Sequence, residues 1–298
     1  MNHDNQRCTK CWLGNEAGAG VEDVEALTWK AIGSAPLSAE LLHEHQVVIF
    51  GDSWAEDQSE TTTGLFAGVQ GWPVHLAGMM KLPVAGNFAK GRSETPSLAG
   101  QLSAAKAALG TSPALWEKLV VILHAGGNDF IGAEKHYNPF ATGNFWFAHC
   151  TWGFTKKATE VIENLKSFLE ELCTLGARCF IVSDMPFSSA VPILTLAKVG
   201  HVDRRGRWLS HRMHDMLSRF EAERADGGRL LHVVRIPEVH ILTLLKTLSA
   251  SRKPGAAFLK DRFHPTQEMH ARMAEVIACH LQQTRPEERA EGQLLLAS

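Results

Sequence analysis

Residues 47–60 read VVIFGDSWAEDQSE. Four consecutive apolar residues, Val47 to Phe50, lead straight into Gly51-Asp52-Ser53. A short apolar run bounded by turn residues reads as a strand buried on both faces. Gly, Asp and Ser suit the turn that ends such a strand. The tripeptide alone does not separate a turn serine from a nucleophile. The same pattern recurs downstream as LPVAGNF at 82–88, LVVIL at 119–123, ARCFIVS at 177–183 and LLHVVRI at 230–236. Helical periodicity fills the gaps. In residues 157–173 the apolar positions are Ala158, Val161, Ile162, Leu165, Phe168, Leu169 and Leu172. That is the i, i+3, i+4, i+7 stripe of a helix lying on a sheet. Residues 207–224 repeat it with Leu209, Met213, Met216, Leu217 and Phe220. Strands alternating with helices predict a parallel sheet covered on both faces, with functional groups in the loops at the strands' carboxyl ends. Ser53 sits at one such end.

The chain has 298 residues, of which 45% are hydrophobic, enough to bury a full core. A formal net charge of −2 speaks against a nucleic-acid partner. No apolar run approaches the roughly 18 residues of a membrane span. The first residues, MNHDNQRCTKCW, have no apolar signal region, so the expected location is cytoplasmic. Six cysteines at irregular spacing suit a reducing compartment rather than a disulfide framework. Cys8 and Cys11 form a lone CxxC without matching ligands nearby, which reads as part of a tail. The expected organisation is a mobile tail at 1–25, a lead-in at 26–44, one domain at 45–283 and a solvated tail at 284–298.

Three further strand or loop ends carry polar clusters. Residues 87–95 read NFAKGRSET, residues 124–129 read HAGGND, and DRFHPT at 261–266 precedes the last helical stretch. With Ser53 these blocks resemble those of the GDSL lipase/esterase family, the SGNH hydrolases. Ser53, Gly91, Asn128 and His264 match that family's four name-giving residues in order. Gly126-Gly127-Asn128-Asp129 and Asp261 to Pro265 match its supporting motifs. The similarity covers about residues 45–283. It implies a three-layer α/β/α sandwich around a mostly parallel five-stranded sheet, flavodoxin-like in plan. It also implies a serine ester hydrolase acting through an acyl-enzyme, with no metal or organic cofactor and a small-molecule ester as substrate, a lipid or an acylated sugar among the options.

The chemistry of the residues agrees with that implication. A serine hydroxyl is a weak nucleophile until a base takes its proton. Histidine titrates near neutrality, so His264 suits the base. Asp261 shares a short loop with His264 and can fix its tautomer. Asp52 and Asp129 flank the site as competing carboxylates. Asp52, on the tight turn beside the nucleophile, is expected to point away, and Asp129 to tie down its loop. Pro265 disfavours helical geometry at His264 and can open the following helix, which carries Met269, Met273, Val276 and Ile277. The resemblance implies an oxyanion hole made by the Ser53 and Gly91 backbone N–H groups and the Asn128 amide.

Two departures stand out. Trp54 follows the serine where the family often has Leu, and Arg92 occupies the fifth place after Asn87, where the family puts its glycine. The second backbone donor is thus Gly91 or Arg92. His124 reads as a structural histidine beside the site. His43, His45, His211 and His214 lie on polar segments and read as solvated. The aromatic stretch at 140–154, expected to be non-helical, is either a loop packed on the core or a wall of the acyl pocket, with residues 186–198 as the opposite rim. Two other readings use the same residues: an acyltransferase, in which an alcohol replaces water, and a non-catalytic relative that binds a lipid or glycan.

Overall fold

The computed structural model describes residues 42, 44–131, 151–185, 187, 189, 191–196, 201–224, 231–236 and 258–283. The Cys8/Cys11 segment, both expected tails and residues 140–150 lie outside them. Five strands form one sheet: β1 (Gln46–Gly51), β2 (Val84–Asn87), β3 (Leu119–His124), β4 (Cys179–Ser183) and β5 (His232–Ile236). Every pairing is parallel, in the order β2-β1-β3-β4-β5. All five strands fall on the predicted apolar runs, with β1 extending one residue past its run at each end and β3 one residue past its run at the carboxyl end. β2 is shorter than its run, beginning after Pro83, whose carbonyl still accepts from Val47 N–H at 2.8 Å.

Among the described residues the α-helices are α1 (Trp72–Met79), α2 (Leu98–Leu109), α3 (Pro113–Trp116), α4 (Thr151–Leu175), α5 (Pro192–Leu196), α6 (Val202–Arg224) and α7 (Gln267–Gln283). The stripe predicted on α4 is buried throughout, and so is that on α6. α1 packs on α7 and α4 on α6, flanking the sheet. Two ring contacts tie strands to these helices: Phe50 of β1 with Phe168 of α4 at 5.2 Å, and Phe180 of β4 with Phe220 of α6 at 6.0 Å. Among the described residues no helix is long and apolar enough to cross a membrane.

Two local expectations are corrected. The sequence pattern puts Trp152 and Phe154 in a non-helical aromatic stretch, but both lie in the first turn of α4. Phe154 is buried against Phe130, Phe187 and Trp208, whereas Trp152 is 71% exposed. The tertiary contacts of Phe154 extend the helix past the point where its own stripe begins. Pro265 does not open α7. It forms an isolated bridge with Phe258, and α7 starts at Gln267 behind Thr266, whose hydroxyl accepts from Met269 N–H at 3.3 Å. A threonine satisfies an orphan helix donor, which proline cannot do.

The strand order places the site. From β1 the chain crosses to β2 on one side, then returns to β3 on the other side of β1. The connections after β1 and β3 therefore diverge, which opens a crevice at their carboxyl ends. Ser53 follows β1 and Asn128 follows β3.

Candidate active site

β1 ends at Gly51, which has φ 143° and whose added Cβ would lie 2.0 Å from the His124 carbonyl oxygen. Only glycine lets β1 and β3 close up there. Gln101 of α2 clamps this end of β1. Its amide oxygen accepts from Gly51 N–H at 2.9 Å and its amide nitrogen donates to Gly51 O at 2.7 Å. The chain then turns sharply, with Ala55 N–H and Glu56 N–H both donating to Asp52 O at 3.0 Å. Ser53 rides on this turn.

Ser53 Oγ lies 2.7 Å from His264 Nε2. On the other edge of the imidazole, His264 Nδ1 bonds Asp261 Oδ2 in a short contact. Asp261 Oδ1 accepts the backbone N–H groups of Phe263 at 3.0 Å and His264 at 3.1 Å. The 261–264 loop is thereby wound around its own carboxylate. Burial pushes the Asp261 pKa upward, but the His264 hydrogen bond and charge and the two backbone donors outweigh it and hold the pKa below its usual value. Ser53, His264 and Asp261 form one continuous chain of contacts.

Asn128 begins the short helical turn Asn128–Phe130 and is buried. Its amide nitrogen donates to Ser93 O at 3.0 Å, joining the β3 loop to the β2 loop. Asp129 makes a second tie, accepting from Thr95 N–H at 3.0 Å and from Thr95 Oγ1 at 2.7 Å. Burial raises the Asp129 pKa to about 6. Gly91 sits near Ser53: a Cβ added to it would lie 3.8 Å from Ser53 Cβ. Its N–H donates to Glu56 Oε2 at 3.0 Å, and Glu56 also accepts from Gln58 Nε2. Ser93 N–H donates to Lys90 O at 3.1 Å, closing a turn over residues 90–93. The left-handed backbone in that turn falls on Arg92, at φ 68°. Its third position is where a turn of this kind favours glycine.

Beneath Ser53 lies a buried layer of rings and titratable groups. Trp54 stacks on His124 at 5.5 Å and meets His270 edge-on at 6.4 Å. His124 Nδ1 bonds Ser183 Oγ at 3.0 Å, and His270 Nδ1 accepts from Trp72 N–H at 3.2 Å. Burial lowers both histidines to about 3. Asp52 Oδ1 accepts from Trp54 N–H at 3.0 Å and lies 4.0 Å from His124 Nε2. Burial lifts Asp52 to about 7. His124 thus has the structural place expected of it. Among the described residues no group of three or more His, Cys, Asp or Glu side chains is arranged to hold a metal ion.

Sequence reasoning missed Glu56, Gln101, His270 and Phe66. Glu56 was within reach, three residues past Ser53 on the same turn. Phe66 meets the His264 ring at 4.4 Å across a long stretch of sequence, and no local signal marks it.

A family model described as GDSL-like lipase/acylhydrolase matches residues 47–277. The chain belongs to that family and is a hydrolase of carboxylic esters. Solved structures similar to it include a catalytic mutant of an acetylxylan esterase from Geobacillus stearothermophilus, with 14% identity and a TM-score of 0.48 over 80% of this chain and 94% of that one. Another is TesA, with 13% identity and a TM-score of 0.48 over 80% of this chain and 99% of that one. No curated protein matches the chain.

Proposed function

We propose that the protein hydrolyses small-molecule carboxylic esters through an acyl-enzyme on Ser53. The observation that carries this reading is the relay from Ser53 Oγ through the His264 imidazole to Asp261, with the 2.7 Å contact at its reactive end. Ser53 Oγ attacks the ester carbonyl while His264 Nε2 takes its proton. Asp261 holds the proton on Nδ1 and stabilises the imidazolium. The tetrahedral intermediate collapses, the bond to the alcohol oxygen breaks, and Nε2 returns the proton to that oxygen. Water then attacks the acyl-serine, gives its proton to His264 and releases the acid. Ser53 recovers its proton from Nε2.

The oxyanion is held by the backbone N–H of Ser53, one amide hydrogen of Asn128 and a backbone N–H from the 90–93 turn. For that last donor we favour Arg92 over Gly91. Gly91 N–H already serves Glu56, and Arg92 carries the left-handed φ that favours a glycine. Each such donor contributes about 2.7–4 kcal/mol to the transition state.

Ser53→Ala tests the reading. The substitution is expected to lower kcat for a short p-nitrophenyl ester by a factor on the order of 10⁶, with the circular dichroism spectrum unchanged. A variant that retained the parent rate would remove Ser53 from the mechanism.

A further inference from the structure

The segment after the nucleophile turn closes into a compact loop. Gln58 N–H donates to Val69 O at 2.9 Å, and Gly68 N–H donates to Gln58 O at 3.1 Å and Thr61 O at 3.0 Å. Asp57 and Gln70 bridge its neck in antiparallel fashion. The neck is fastened on two sides. Gln70 N–H donates to Gln267 Oε1 at 2.7 Å, which ties it to the first residue of α7. Gln58 Nε2 bonds Glu56 Oε2, the same oxygen that holds Gly91 N–H. The loop is thus linked both to the segment that carries His264 and to the turn beside Ser53.

Its tip is apolar. Leu65 is 42% exposed, and Phe66 is half-buried with its ring edge-on to the His264 imidazole, at 4.4 Å and 72°. The buried ring of Phe263 meets the same imidazole at 4.9 Å. Phe263 therefore belongs to the core side of the histidine, while Phe66 keeps part of its surface in solvent.

The chemistry decides which part of an ester meets Phe66. His264 Nε2 must hand its proton to the leaving alcohol oxygen, so that oxygen comes within about 2.6–3.2 Å of Nε2. Whatever is bonded to that oxygen lies against the imidazole and the ring packed on it. The carbonyl oxygen points elsewhere, toward the oxyanion donors. A sugar or other polyol pressed against Leu65 and Phe66 would lose water from hydroxyls without gaining partners, which is unfavourable. An aryl or alkyl group would bury apolar surface there and could pack on the aromatic ring.

We infer that Phe66, with Leu65 beside it, forms an alcohol-side subsite that selects esters of apolar aryl or alkyl alcohols over esters of sugars and other polyols. The inference rests on the roles given above to Ser53 and His264.

The test holds the acyl group constant and varies the alcohol: benzyl acetate, methyl acetate and a glucose monoacetate. The parent enzyme is expected to favour the benzyl ester. In Phe66→Ala the ratio of kcat/KM for benzyl over methyl acetate should fall about tenfold or more, the scale of a lost hydrophobic pocket contact. Phe66→Leu should restore most of that ratio. Leu65→Ser, at an exposed position, should shift it in the same direction and serves as the readout if Phe66→Ala fails to fold. An equal loss on all three esters would make Phe66 a support for His264 and overturn the subsite. So would a parent enzyme that cleaves the glucose ester as well as the benzyl ester. In both of these cases ester turnover, and with it the role of Ser53, stands. A folded parent enzyme that cleaves none of the three would instead overturn the hydrolytic reading along with the subsite.

Discussion

Asp261 has two rivals for the orienting carboxylate, and their hydrogen bonds separate them. Asp129 accepts from the backbone and hydroxyl of Thr95, and Asp52 accepts from Trp54 N–H. Only Asp261 bonds the ring of His264. Asp261→Asn is therefore expected to lower kcat by about 10⁴, because an amide favours the wrong tautomer and cannot stabilise the imidazolium. Asp129→Asn should cost far less in kcat, its effect coming through the loop it fastens. Steady-state kinetics of both variants on one ester, with unfolding curves measured alongside, decide between them. Full activity in Asp261→Asn beside an inactive Asp129→Asn would transfer the role. The pairing of Asp261 with His264 was legible in the sequence because the two lie three residues apart. The engagement of Gly91 with Glu56 was not, because nothing in either block says which way a carboxylate on a neighbouring turn will point.

At the scale of elements, β4 and β5 are joined to α6 by a buried polar knot. Arg235 of β5 donates from Nε to Asp184 Oδ1 at 2.8 Å and from a terminal nitrogen to Ser210 O at 2.9 Å. Asp184 directly follows β4, and its side chain is 2% exposed. Removing one member of a buried pair strands the other's charge, at a typical cost of roughly 3–5 kcal/mol. Arg235→Met should accordingly lower the unfolding free energy from urea titration by that order, with a lower midpoint, while Arg235→Met with Asp184→Asn should recover part of the loss. If the single and double variants unfold at the parent midpoint, the pair contributes nothing. Neither residue invites this reading in the sequence. Arg235 sits within an apolar run, and only the parallel pairing of Ile181 with Val234 and of Val182 with Arg235 sets the guanidinium beside the end of β4.

For the molecule as a whole, the buried layer under Ser53 couples stability to pH in two opposed directions. His124 and His270 are held near 3, far below an unfolded value of 6.5. The unfolded chain binds protons there that the native protein does not, so this contribution is lost as pH falls from about 6.5 toward 3. Asp52 runs the other way. Its native pKa of about 7 exceeds the unfolded 3.8. Between those values the native state holds a proton that the unfolded chain has released, so stability falls as pH rises through that window. Asp52→Asn keeps an acceptor for Trp54 N–H and removes the titration. Its stability relative to the parent should therefore improve from pH 4.5 to pH 8 by a few kcal/mol, since each pH unit inside that window is worth about 1.36 kcal/mol. Urea unfolding at the two pH values measures this. A constant difference would mean that the native carboxyl is ionised throughout.

The sequence by itself determined the strands, the long helices and the pairing of Asp261 with His264. Those signals are local: an apolar run such as 119–123, a stripe such as Ala158 to Leu172, an aspartate three residues before a histidine. Periodicity and short spacing survive in one dimension. Only the tertiary structure decided that Phe154 joins α4 and that Thr266, not Pro265, caps α7. It also put Arg92 in the left-handed position of its turn and Phe66 on the ring of His264. Each of these depends on which distant surface a residue meets, and that surface exists only after β1 and β3 have paired and α7 has packed on α1.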